Sequence, residues 1–107
     1  METTQTLRKR ALQKDPDAMF RLGYRLAFGR GRPSRPNWPS IFTLWSGAAK
    51  AGHARAQFYL ATIYENGKGV RRNMSRAIYW YTRAAKLGHE TAMFNLGMSY
   101  RDGFGVR

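Results

Sequence analysis

The stretch Ala56-Gln-Phe-Tyr-Leu60-Ala-Thr-Ile-Tyr64-Glu-Asn-Gly67-Lys-Gly69-Val70 is followed by Asn73, Ala77, Trp80, Ala84-Ala85 and Gly88. At Ala92 the same order begins again, as Ala92-Met-Phe-Asn-Leu96-Gly97-Met-Ser-Tyr100-Arg-Asp-Gly103-Phe-Gly105-Val106. Each matched position lies 36 residues further on, as Ala92 does from Ala56. Upstream, Ala18-Met-Phe20-Arg-Leu22-Gly23 opens the pattern 38 residues before Ala56. A fixed period of roughly 20 to 50 residues marks a protein built by stacking one unit on the next. Such a chain points to an interaction scaffold rather than an enzyme built around one pocket.

Outward from this stretch the chain divides at its glycines and caps. Leu7 to Leu12 is compatible with a short helix, read as the second half of a repeat that caps the stack. Asp15 is a candidate N-cap, and Pro16 suits a first helical position. Ala18 to Phe28 then reads as the first helix of a repeat, with Ala18, Leu22 and Leu26 on one face. Gly29-Arg-Gly31 stops it by offering a left-handed residue. Asn37 caps the second helix of that repeat, which runs to about Ala51 and ends at Gly52. His53 to Asn66, then Met74 to Leu87 behind the cap Asn73, form the next pair. Glu90 to Asp102 is the first helix of a third repeat, stopped by Gly103-Phe-Gly105. No useful run alternates as a strand would. The expectation is an all-α solenoid of about six helices in one domain. A half-repeat cap covers residues 7–15, repeat one 16–52, repeat two 53–88, and a partial third repeat 89–107. The first helix of each repeat is called A and the second B.

The motif Ala-x-x-x-Leu-(Gly/Ala)-x-x-Tyr-x-x-Gly-x-Gly-Val, then Asn-x-x-x-Ala-x-x-Trp-x-x-x-Ala-Ala-x-x-Gly-x-x-x-Ala, resembles the Sel-1-like repeat, a relative of the tetratricopeptide repeat. The match is strongest from Ala56 to Gly88. Repeat one departs from it, with Leu26, Arg32, Ile41 and Leu44 at the Tyr, Val, second-helix Ala and Trp positions. The family's usual Asp is Asn73 here, and both residues cap helices. The resemblance implies a right-handed superhelix of antiparallel helix pairs. It also implies a role as an adaptor that gathers other proteins, in some bacteria as a host-interaction, signalling or immunity factor. A cysteine-rich group linked to penicillin binding does not extend to this chain, which has no cysteine.

By alignment to that family, the concave face carries Arg21, Tyr24, Arg25, Tyr59, Thr62, Ile63, Asn95, Met98 and Arg101. Exposed Arg, Tyr and Met are common interface anchors. Phe20, Phe58 and Phe94 also repeat in register and are expected in the core. Loops at matching positions stack along one edge of a solenoid. The A-to-B loops carry Arg30, Arg32 and Arg35, then Lys68, Arg71 and Arg72, with Arg107 following. They are expected to form a basic ridge suited to carboxylates or phosphates.

Composition agrees with this. Nineteen Lys and Arg against six Asp and Glu give a net charge of +13. That field favours an acidic partner, and an acidic protein is the first expectation. A basic module binding nucleic acid through the ridge is the alternative, and its binding would weaken steeply with salt. No catalytic constellation, cofactor site or metal site is visible. His53 and His89 lie in register and read as local turn residues, with no Cys or carboxylate cluster at metal-ligand spacing. The absence of cysteine, of a signal-like N-terminus and of an apolar run near about 18 residues suggests a cytoplasmic protein. The third A helix lacks its B helix, so its apolar face, with Phe94 and Tyr100, is expected to be partly open. Self-association there is a further expectation.

Overall fold

A computed structural model of the chain describes residues 3–32 and 34–101. Asp102, the stop at residues 103–105, Arg107 and the side chain of Tyr100 lie outside the described residues. Six helices follow in order: α1 (Thr4–Leu12), α2 (Pro16–Phe28), α3 (Trp38–Lys50), α4 (Ala54–Asn66), α5 (Met74–Lys86) and α6 (Glu90–Arg101). Helices α2, α4 and α6 are the A helices, and α3 and α5 the B helices. Each packs on its neighbours in chain order, giving a stack measuring 46 × 28 × 19 Å. Among the described residues there is no strand.

The helices begin where the sequence offers caps. Asp15 accepts from the backbone N–H groups of Asp17 and Ala18, at 3.1 and 3.3 Å. Asn37 and Asn73 accept from Ser40 and Arg76 at 3.2 and 3.0 Å. The histidines do the same work: Nδ1 of His53 accepts from Ala56 N–H, and Nδ1 of His89 from Ala92 N–H. Each such bond satisfies a donor that a helix start leaves open.

The stops differ between repeats. Gly67 closes α4 in the left-handed region at φ 67°. At the end of α2, Gly29 is extended and Gly31 takes the left-handed conformation at φ 78°. Gly29 is needed for another reason: a Cβ there would lie 2.5 Å from the Arg25 carbonyl oxygen. The α2–α3 loop spans residues 29–37 and the α4–α5 loop residues 67–73, so the first is two residues longer.

Small residues set the spacing of the layers. Ala18, Ala48, Ala49, Ala56, Ala61, Ala77, Ala84 and Ala92 have no exposed surface. Between them lie Phe20, Ile41, Trp45, Leu60, Ile63, Trp80 and Tyr81. A smaller cluster of Leu7, Ala11, Ala18 and Leu22 fastens α1 to α2. Buried polar groups stitch the layers. The Trp45 indole donates to the Phe20 carbonyl at 3.1 Å, and Gln57 Nε2 to the Ala49 carbonyl at 3.1 Å. The Tyr81 hydroxyl donates to Glu65 Oε1 at 2.6 Å and accepts from Asn95 Nδ2 at 3.4 Å, joining α4, α5 and α6. Burial first, and Glu65 second, push the Tyr81 phenol well above its ordinary value.

One aromatic contact repeats. Phe20 of α2 stacks on His53 at 4.9 Å between centroids, and Phe58 of α4 stacks on His89 at 4.6 Å. Thus Phe20 and Phe58 are each covered by the imidazole that caps the next A helix. Phe94, the third in register, departs from the expectation of a core residue and is 64% exposed. No imidazole among the described residues covers it, which accounts for the difference.

Candidate functional site

The A-helix face is built around α2 and α4. Tyr24 is the most open of its expected aromatic residues, at 37% exposure. Its ring meets Phe28 at 5.0 Å and Tyr59 at 5.7 Å, both edge-on. Tyr59 is half-buried, and burial first, with Tyr24 beside it, raises its phenol above the ordinary value. Thr62 donates its hydroxyl to the Tyr59 carbonyl at 2.6 Å. Arg21 lies 3.7 Å from Asp17, one turn earlier in α2. Arg25 Nη1 donates to Thr4 Oγ1 of α1 at 3.3 Å.

Three of the expected residues sit on α6. Asn95 is half-buried against Tyr81, Met98 is half-buried and Arg101 is exposed. The fold brings α2 and α4 into one aromatic cluster, whereas no ring contact carries that cluster on to α6 among the described residues. Ile63 offers little open surface on this face, although it lines the smaller cavity beside it. It is 1% exposed, because Ala56, Leu60 and Ile63 fall at helical spacing on the core stripe of α4.

The basic positions of the A-to-B loops, Arg30, Arg32, Arg35, Lys68, Arg71 and Arg72, are all exposed. The two loops meet through Trp38. Lys68 Nζ lies 5.9 Å from the Trp38 ring, within cation–π range. A Cβ on Gly69, whose φ is 75°, would come within 2.8 Å of Trp38 Cβ. Arg72 Nε donates to the Glu65 carbonyl at 3.0 Å. The carboxylates Asp15, Asp17 and Glu90 stand at the starts of the A helices, the opposite ends from these loops, whereas Glu65 lies at the loop end of α4 with its carboxylate on the Tyr81 hydroxyl. Asp15 is held below its ordinary range, chiefly by Arg10, whose Nε donates to it at 2.9 Å.

Two cavities adjoin the aromatic cluster. One of about 640 Å³ lies among α1, α2 and the longer loop, lined by Thr4, Arg8, Tyr24, Arg25, Arg30 and Arg32. The other, of about 300 Å³, is lined by Phe28, Trp38, Trp45, Thr62, Ile63, Asn66 and Lys68. Arg8, Phe28, Trp38 and Trp45 were not among the expected site residues. Arg8 lies outside the 36-residue pattern, and Phe28 stands where repeat two has the polar Asn66, so register alone does not mark them. The basic run Arg8-Lys-Arg10 was the available signal.

A stack of capped helix pairs with a clustered aromatic face and a basic loop edge defines a helical-repeat solenoid. The chain belongs to the Sel1 repeat family, whose model matches residues 16–37, 54–89 and 91–107. Members of that family generally serve as protein–protein interaction scaffolds.

Among solved structures the chain is similar to c5321, a protective antigen present in uropathogenic Escherichia coli strains and displaying an SLR fold. There the TM-score is 0.89 at 30% identity over 99% of this chain and 22% of that one. It is also similar to a Sel1 repeat protein from Oxalobacter formigenes, with a TM-score of 0.83 at 31% identity over 96% of this chain and 41% of that one. The chain therefore spans less than half the length of each. Comparison with curated protein sequences gave no match. Among the described residues no helix is long and apolar enough to cross a membrane.

Proposed function

We propose that this chain is a non-catalytic interaction module that binds an acidic protein partner across its A-helix face and basic loop edge. The observation that carries this is the basic loop edge. Six exposed cations, Arg30, Arg32, Arg35, Lys68, Arg71 and Arg72, lie along it, and Glu65 is the one described carboxylate at that end of the A helices. Such an edge steers an acidic surface into contact and disfavours a basic one. Tyr24 and Phe28, exposed beside Arg30 and Arg32, supply apolar area next to that charge. The likeness to a protective antigen of a pathogen supports a host-interaction or immunity-type setting for such a module.

The test is capture by the immobilised chain from lysate of the source organism, half of it nuclease-treated. Wild type is set beside a triple R30E/R71E/R72E variant and a triple Y24A/Y59A/M98A variant. Proteins should be retained in both halves by wild type and lost with charge reversal. Retention that disappears after nuclease treatment would replace this reading with nucleic-acid binding through the same edge.

A further inference from the structure

We propose that the cavity among α1, α2 and the α2–α3 loop is a carboxylate-binding subsite for an acidic peptide segment. The adjoining aromatic cavity seats an apolar side chain of the same segment. This rests on the reading of the chain as a protein-interaction module and specifies what the partner presents.

The first cavity is lined by four arginines, Arg8, Arg25, Arg30 and Arg32, and by no carboxylate among the described residues. Arg8, Arg30 and Arg32 are exposed, while Arg25 is held toward α1 by its bond to Thr4. Arg8, Arg30 and Arg32 bring like charge to one space, and an entering anion lowers the repulsion between them. Guanidinium forks match carboxylates two bonds at a time, which gives direction as well as attraction. The nine-residue loop 29–37 supplies Arg30 and Arg32, and α1 supplies Arg8. The shorter α4–α5 loop instead packs down on Trp38 through Gly69.

The second cavity is separated from the first by one aromatic pair. Tyr24 lines the basic cavity and Phe28 the aromatic one, and their rings are 5.0 Å apart. An extended chain crosses such a wall in roughly two residues, at about 3.4 Å each. Acidic residues on one side of the pair and an apolar residue on the other therefore reach both cavities together.

Fluorescence anisotropy with a labelled peptide Glu-Asp-Glu-Asp-Gly-Leu, at about 0.15 M salt, tests this. The control is R71A/R72A, which removes the same charge from the same edge outside the cavity. R30A/R32A should weaken binding about tenfold or more, and R71A/R72A less than about threefold. Replacing the peptide's Leu by Ser should abolish the shift in tryptophan emission from Trp38 and Trp45. All four substituted side chains are exposed, and circular dichroism verifies that the variants remain folded. Equal losses from the two double variants would overturn the subsite in favour of a diffuse basic edge. Tighter binding of an oligouridylate, with the same dependence on Arg30 and Arg32, would make the ligand a nucleic acid. Absence of peptide binding while lysate proteins are still captured would remove the subsite and leave the interaction reading standing. Absence of both would remove the two together.

Discussion

Gly23 has no side chain because Trp45 occupies the space one would need. A Cβ at Gly23 would lie 2.4 Å from the indole nitrogen and 2.8 Å from its neighbouring carbon. That nitrogen is fixed by its bond to the Phe20 carbonyl, so the ring has little freedom to withdraw. G23A should therefore destabilise the chain by about 1–3 kcal/mol, the usual cost of overpacking a filled core. The urea midpoint measures this; an unchanged midpoint would show that the indole moves freely. The same substitution is tolerated in repeat two, where Ala61 stands in register and Tyr81 takes the place of Trp45.

At the scale of the element, the unit of cohesion is a phenylalanine in one A helix and the histidine that caps the next. Phe58 is half-buried under His89, whereas Phe94 is exposed. F58A should cost about 2–3 kcal/mol, somewhat below a fully buried ring, and F94A less than about 0.5 kcal/mol. Comparable losses from both in urea unfolding would contradict this.

The cap also has a pH dependence. Burial first, then the charge of Arg55, lowers the His89 pKa below its ordinary 6.5. The unfolded chain therefore binds a proton more readily than the folded one, and stability rises with pH across that interval. The contribution is complete above the ordinary value and is lost as pH falls through the lowered one. A protonated Nδ1 also ceases to accept from Ala92 N–H. Unfolding measured at about pH 7.5 and about pH 5 should show this loss in wild type and a smaller one in H89N, which keeps a cap without titrating there. Identical pH slopes would remove the histidine from the account.

Across the whole molecule the dominant fact is a net charge of +13 on 107 residues. Self-repulsion on that scale opposes the compact state, and salt screens it. Raising the salt from about 0.02 M to about 0.5 M should raise the melting temperature, with most of the gain in the first part of the range. A flat response would mean that the cations are too well separated to strain the fold. The same screening should weaken an acidic partner bound at the loop edge, so stability and affinity are expected to respond to salt in opposite directions.

The repeat itself was legible in the chain. Period 36, the capping Asp15, Asn37 and Asn73, and the buried alanines all follow from local rules, because helix starts, stops and core stripes depend on residues within a turn or two. The six helices and the core residue Phe20 follow from them. Side-chain direction across layers was not legible. Ile63 was expected outward and faces the core, because one step around a helix turns a side chain by about 100°. Phe94 was expected inward and is exposed, because no imidazole among the described residues stacks on it as His53 and His89 do on Phe20 and Phe58. The cavities of Arg8, Tyr24, Phe28 and Trp38 join α1, α2, α3 and α4. Their proximity reflects how the helices stack and the two extra residues of one loop, and no periodic pattern records such distances.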